Sequence, residues 1–215
     1  MQIVKTLKMI RNLKALSFLI FVLLTSSVYG QFGELCVDCY PSVEVGGVNS
    51  SINGFDNTSS KTGFYIGYFN YRWISDSFAL RAGGTYQNLG VQIDDAEDNF
   101  IIHSINFPVS LHYTYQNKFQ GFIGGELGTN LFGSYPESNE PSNITGANDV
   151  DIREVVSFLD ASIFLGVGVI ISDNIDINLR YNLGVTDVRS QEFNTEGEEW
   201  NENWLTLSIA YTWRD

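Results

Sequence analysis

Two cysteines are all that the 215 residues contain, and they stand together at Cys36 and Cys39. With no second pair, a metal site would need ligands that the cysteines do not supply. Histidine is as scarce, at two, so His-based catalysis would have to run through His103 or His112. Basic residues number 12 against 25 acidic ones. That balance argues against nucleic acid or an anionic lipid surface as partner. After Leu24 no apolar run approaches the roughly 20 residues of a spanning helix, and no segment there carries a convincing helical period. Such a chain can cross a bilayer only as a closed barrel, because only helices and closed barrels satisfy the backbone in hydrocarbon.

The front of the chain is an address. Lys5, Lys8, Arg11 and Lys14 form a basic start, Ala15 to Leu24 is apolar, and Thr25 to Gly30 is small and polar, with Val28 and Gly30 at the −3 and −1 positions of a cleavage site. Residues 1–30 therefore read as a secretory signal peptide. Its apolar core is too short for a retained membrane anchor. Gly33-Glu34-Leu35 before Cys36 lacks the small residue expected beside a lipidated cysteine. Without the signal, eight basic and 25 acidic residues remain, a net charge of −17. The rest suits one domain. We expect a short periplasmic tail with the Cys-x-x-Cys over 31–39 and a barrel over 40–215.

The last residues alternate. Leu205, Leu207, Ile209, Tyr211 and Trp213 fall on one face of a strand, and Thr206, Ser208, Ala210 and Thr212 on the other. Period-two alternation predicts seven more strands, near Tyr40–Asn49, Gly63–Trp73, Phe78–Asn88, Ile101–Tyr115, Phe119–Phe132, Val156–Ile171 and Asn174–Thr186. The second is aromatic on both faces, which leaves its orientation open. Ile74–Ser77, Gln116–Lys118 and Ser172–Asp173 read as tight turns. Ser50–Thr62, Leu89–Phe100, Gly133–Val155 and Asp187–Asn203 read as long polar loops. Short turns thus share one rim and long loops the other. The expected fold is all-β: an eight-stranded antiparallel up-and-down transmembrane β-barrel with short periplasmic turns, long extracellular loops and both termini periplasmic.

A soluble lipocalin-like periplasmic barrel, with its apolar face turned inward around a ligand, would alternate equally well. The membrane version is favoured by charges on the polar face and by the rim asymmetry. It is also favoured by Tyr71, Trp73, Tyr113, Tyr115, Trp204, Tyr211 and Trp213 near strand ends, where interfacial girdles lie. Its partner is then outer-membrane lipid, with other outer-membrane proteins as further candidates.

Several stretches carry a family likeness: Gly63-Phe64-Tyr65-Ile66-Gly67-Tyr68-Phe69, Ile105-Asn106-Phe107-Pro108-Val109-Ser110-Leu111-His112-Tyr113, Phe119-Gln120-Gly121-Phe122-Ile123-Gly124-Gly125, Leu165-Gly166-Val167-Gly168 and Asn178-Leu179-Arg180-Tyr181-Asn182-Leu183-Gly184. Over most of its mature length the chain resembles the eight-stranded outer-membrane β-barrel family that includes PorT-like proteins. The resemblance implies a barrel with no catalytic residues to carry over and no cofactor. PorT-like relatives are linked to protein secretion across the outer membrane. The Cys36–Cys39 pair is not part of the family's pattern.

Four groups of residues invite a chemical reading. Arg81, Glu126, Asp160 and Arg180 could form an ionic network inside the barrel, as a salt-bridged plug or as a narrow polar path. An eight-stranded lumen is just wide enough for side chains to fill, which favours the plug. Cys36 and Cys39 are read as a local disulfide in an oxidising compartment or as idle thiols, with a partner contact by the tail as the other reading. Asp94, Asp95, Glu97 and Asp98, and Glu192, Glu196, Glu198, Glu199 and Glu202, read as solvated loop charge. Neither set has the spacing of a known calcium loop. His103 and Ser104 are adjacent, so on a strand they face opposite ways and cannot share a site without a bulge. His112 points inward.

The expectation is a non-enzymatic outer-membrane barrel, structural or an accessory subunit of an outer-membrane assembly. A lipid-modifying barrel enzyme of the outer leaflet is the alternative, beside the soluble ligand-binding barrel.

Overall fold

Strands of this chain need only backbone partners and one oily face, and the eight of them find both by closing on themselves. The computed structural model describes residues 39–54, 58–93, 99–134, 156–189 and 199–214, and Tyr40–Asp215 forms one compact unit. The strands are β1 (Cys39–Asn53), β2 (Thr58–Trp73), β3 (Phe78–Ile93), β4 (Asn99–Tyr115), β5 (Phe119–Ser134), β6 (Leu159–Ser172), β7 (Ile175–Gly184) and β8 (Asn201–Thr212). They follow one another around a closed barrel in chain order. The last returns antiparallel to the first, from Ser42 opposite Thr212 to Asn53 opposite Asn201. No edge is left to pair with another chain. No helix among the described residues is long and apolar enough to cross a membrane; strands do that work here.

The side-chain alternation settles which way the barrel faces. Leu205, Leu207, Ile209 and Tyr211 are exposed on the outer wall, while Thr206, Ser208, Ala210 and Thr212 are buried inside. The same parity holds along β4, β6 and β7. An apolar exterior around a polar interior is the reverse of a soluble barrel that holds a greasy ligand. The lipocalin-like alternative therefore fails.

Several strands outrun their expected ends at the long-loop rim. Ser50–Asn53 and Thr58–Thr62 were expected in a loop but continue β1 and β2. Likewise Leu89–Ile93 extends β3, and Asn201–Asn203 opens β8. The reason is that a hairpin ladder holds with polar side chains as well as apolar ones, so it continues above the oily band. A crossing strand needs about 9–11 residues, and β4 has 17. The signal-peptide segment, residues 31–38 with Cys36, and the acidic residues Asp94, Asp95, Glu97, Asp98, Glu192, Glu196 and Glu198 lie outside the described residues.

Turn chemistry fixes the opposite rim. Gln116 and Asn117 both take left-handed backbone angles, each with φ of 51°, and Lys118 N donates to Tyr115 O at 3.1 Å. Two central residues with positive φ match the right-handed twist of the flanking strands. At the β2–β3 turn the Ser75 hydroxyl accepts the N–H of Phe78 at 3.2 Å. Asn174, in the β6–β7 turn, donates its side-chain amide to Thr212 O at 2.8 Å, tying that turn to the end of β8.

Two members of the expected aromatic girdle belong elsewhere. Tyr71 and Trp204 are buried inside the barrel. Trp204 shares the parity of Thr206 and Ser208, which points it inward. Tyr71 sits on β2, whose orientation the sequence left open. The structure turns Tyr65, Phe69 and Tyr71 in and Phe64, Ile66 and Tyr68 out. Tyr113, Tyr115, Tyr211 and Trp213 do lie on the outer wall.

Candidate functional site

The interior gathers charged side chains, and it does so in layers. Nearest the short-turn end, Asp176 meets Arg214 at 3.4 Å. Just within, His112 is stacked on Phe122 with ring centres 4.6 Å apart, edge-on to Tyr71 at 5.3 Å. Its Nε2 lies 3.0 Å from Ser110 Oγ and its Nδ1 3.3 Å from Gln120 Oε1. Gln120 then donates to Asn178 Oδ1 at 2.8 Å. Gln120 Oε1 is only an acceptor, so Nδ1 is assigned the proton and Nε2 accepts from the Ser110 hydroxyl.

Two arginines occupy the middle, each on aromatic faces. Arg81 forms an ion pair with Glu44, and Ser208 donates its hydroxyl to the same carboxylate. The Arg81 guanidinium lies 3.4 Å from the centre of the Phe69 ring and 5.1 Å from that of Tyr71. Arg180 lies 3.6 Å from Glu126 and 5.0 Å from the ring centres of both Tyr65 and Phe164. Ring faces are negative, so each cation is held by a carboxylate and by π-systems together.

Of the four residues proposed as a network, only Arg180 and Glu126 come together as a pair. Arg81 turns to Glu44 instead, and Asp160 forms no ion pair among the described residues. Glu44 lies on the polar face of β1, so parity could have supplied it. Choosing between Glu44 and Glu126 for Arg81 needed the barrel's register, which alternation does not carry. Glu202, expected in a solvated loop, is buried on the inner face of β8. It has the same parity as Trp204.

Inner-face glycines make room for these rings. A Cβ on Gly166 would stand 2.2 Å from a Phe122 ring carbon and 2.7 Å from Leu179 O. A Cβ on outward Gly121 would meet nothing within 4 Å. We therefore expect Gly166→Ala to destabilise the barrel by about 1–3 kcal/mol, the usual range for overpacking. Gly121→Ala should leave the urea midpoint in vesicles unchanged. Equal shifts for both would break this account of the packing.

At the long-loop end the interior turns apolar. Ile52, Val91, Phe100, Ile102, Val156 and Val188 form a buried cluster, with Ile93 and Trp200 against it. Val156 and Val188 reach it from connecting segments that tie to one another, with Ser157 N donating to Val188 O at 2.7 Å and Val188 N to Trp200 O at 2.9 Å. Asp187 fastens this cap. It takes Arg189 Nη2 at 2.8 Å, the Arg189 backbone N–H at 3.0 Å and the Trp200 backbone N–H at 3.1 Å. Partial burial pushes the Asp187 carboxyl up, but these bonds to its charged form outweigh that and hold it below the usual carboxylate range. Since the folded value is depressed, the clasp's stabilisation is complete above the ordinary carboxylate pKa and is lost as pH falls through the lowered one. Trp200 emission followed from pH 6 to pH 2 should change only near the bottom of that range. The change should vanish in Asp187→Asn, which has no carboxyl to titrate there.

His103 faces outward. Its Nδ1 lies 2.7 Å from Tyr86 Oη, its Nε2 3.1 Å from Asn88 Nδ2, and its ring stacks on Phe132 at 4.5 Å. A register shift does fall between His103 and Ser104 in the β4–β5 pairing, yet Ser104 remains fully buried on the inner face. The bulge leaves Leu131 of β5 unmatched and does not bring the two side chains together. Cys39, at the start of β1, is disulfide-bonded. Cys36 is the only other cysteine in the chain.

A closed barrel with an oily exterior and a polar, charged interior defines an integral outer-membrane β-barrel protein. The sequence pattern of the outer membrane protein beta-barrel domain matches residues 36–190, and the chain belongs to that family. Among solved structures it is similar to Neisserial surface protein A at 14% identity, over 81% of this chain and 97% of that one, with a TM-score of 0.50. It is similar to Ail, the attachment invasion locus protein of Yersinia pestis, at 12% identity over 81% and 98%, TM-score 0.46. It also resembles the outer membrane enzyme PagL at 10% identity over 78% and 98%, TM-score 0.47. The first likeness speaks to the fold alone, and the other two carry no functional weight. No curated protein matches the chain.

Proposed function

We propose that this protein is a non-enzymatic outer-membrane barrel, structural or an accessory subunit of a larger outer-membrane assembly, with both barrel termini on the periplasmic side. The observation that carries the reading is the crowded ionic interior: two arginine–carboxylate pairs on aromatic rings, with an apolar cluster at the long-loop end. On this reading the lumen is a plug that offers solutes no path. The outer wall, the loops and the disulfide-bearing start of β1 then remain as working surfaces. The PorT-like resemblance supports an assembly role. The rim asymmetry supports the orientation, because bacterial barrels keep their short turns in the periplasm.

Separation of His103 from Ser104 onto opposite faces weighs against the lipid-modifying alternative. Lipid A mass profiles with and without the protein should be identical, and a mass shift tied to its presence would restore the enzyme. Mild-detergent capture of the tagged full chain from membranes should retain a defined set of outer-membrane proteins. Recovery of the barrel alone would remove the accessory role. Planar-bilayer recording should show no steady conductance, and sizeable open channels would contradict a closed lumen.

A further inference from the structure

The oily band is not the same height all the way round. On β4 the outward side chains run Ile105, Phe107, Val109, Leu111, Tyr113 and Tyr115 without a polar break. At about 3.4 Å per residue and a tilt near 40°, that band stands about 26 Å tall, matching a usual hydrocarbon belt. On β1 the outward run without a polar side chain is Pro41, Val43, Val45 and Gly47, and Asn49 follows, exposed. On β2 it is Phe64, Ile66 and Tyr68, bounded by exposed Thr62 on one side and by exposed Asn70 and Arg72 on the other. The same geometry gives about 16 Å for the run on β1 and about 10 Å for that on β2.

Neighbouring strands mark the step, by one pair on the β8 side and by two on the β3 side. Asn49 stands opposite Leu205 of β8. Asn70 stands opposite Ala82 of β3, and Arg72 opposite Leu80. At the long-loop side of the thin band the polar groups satisfy one another on the open wall, with the Asn49 amide donating to Ser60 Oγ at 3.3 Å and to Thr62 Oγ1 at 3.5 Å. At the other side Arg72 has a long apolar stem that can lie along the wall while its charge reaches water.

We propose that the β1–β2 wall thins the outer membrane locally, drawing headgroups and water down to Asn49 and Thr62 from one side and up to Asn70 from the other. Lipid is the occupant this wall suits. Phe64, Ile66, Tyr68 and Val45 are exposed within the band, as acyl chains require, and hydrogen-bonded polar groups border it, as a headgroup layer requires. A bilayer thicker than the oily surface it meets adjusts by thinning, at modest cost per ångström. The inference concerns lipid only and stands whether or not the barrel has an accessory role.

The test uses the full mature chain, disulfide intact, folded in phosphatidylcholine vesicles. Single cysteines at Asn49, Thr62 and Asn70 carry an environment-sensitive fluorophore. Phe107 and Leu111 on β4 serve as deep references, and folded molecules are selected by heat-modifiable migration. Quenchers attached at known acyl-chain depths should place all three thin-wall probes at headgroup depth, with the β4 probes deep. Thin-wall probes at hydrocarbon depth overturn the proposal. Probes shielded from both lipid-borne and aqueous quenchers overturn it too, since they would show protein covering that wall. A second reading needs no label: deuterium spectra of the lipid should show lower chain order around the unsubstituted protein than around Asn49→Leu/Thr62→Leu/Asn70→Leu. Equal order around the two would contradict the proposal.

Discussion

Arg81→Ala should cost the folded barrel about 3–5 kcal/mol, because it leaves Glu44 as a charge buried without its partner. The pair is buried on both sides, and removing the guanidinium also strips the Phe69 and Tyr71 rings of the cation over them. Urea unfolding in vesicles, followed by heat-modifiable migration, reads the loss. Arg81→Met combined with Glu44→Gln removes both charges and should recover a large part of it, because much of the single-variant cost is desolvation of the orphaned carboxylate rather than the worth of the bond. A single variant as stable as the parent would mean that water reaches Glu44 freely. The lumen would then be a path rather than a plug.

The second large effect belongs to the outside. Leu165 is exposed on β6, opposite Ile123 on one side and Tyr181 on the other. An arginine there faces mid-bilayer hydrocarbon and should cost about 2–4 kcal/mol, whereas Leu159→Arg, at the end of the same strand, should cost about 0–1 kcal/mol. The gradient matters more than either value. A soluble protein would tolerate both substitutions, since both positions would meet water.

How far the sequence could be read follows from what sets each feature. Alternation is local, so the outward Leu205–Tyr211 face of β8 and the inward Thr206–Thr212 face are legible residue by residue. Strand ends are less so, because the Asn, Ser and Thr residues that continue β1 to Asn53 and begin β2 at Thr58 look the same in a loop as in a ladder above the membrane. β2 could not be oriented at all, since Tyr65 and Phe69 inside differ little from Phe64 and Tyr68 outside. What decides is the cation each ring meets: Arg180 lies over Tyr65 and Arg81 over Phe69. Partner choice among buried charges is a matter of register between strands distant in the chain, as with Glu44 and Arg81, 37 residues apart. Glu202 is hard to place for a simpler cause. Its acidic neighbours suggested a loop, while its parity with Trp204 already pointed inside.

Fluorophores on single cysteines at Leu179, Leu207 and Ser208 test the central claim most directly, read against lipid-borne and aqueous quenchers in vesicles. If the greasy flank meets acyl chains, the probes at Leu179 and Leu207 are quenched from the lipid, and the one at Ser208 is reached by neither. If Ser208 instead proves open to bulk water on the outer wall while Leu179 and Leu207 are shielded from lipid, the barrel faces the other way and the account fails.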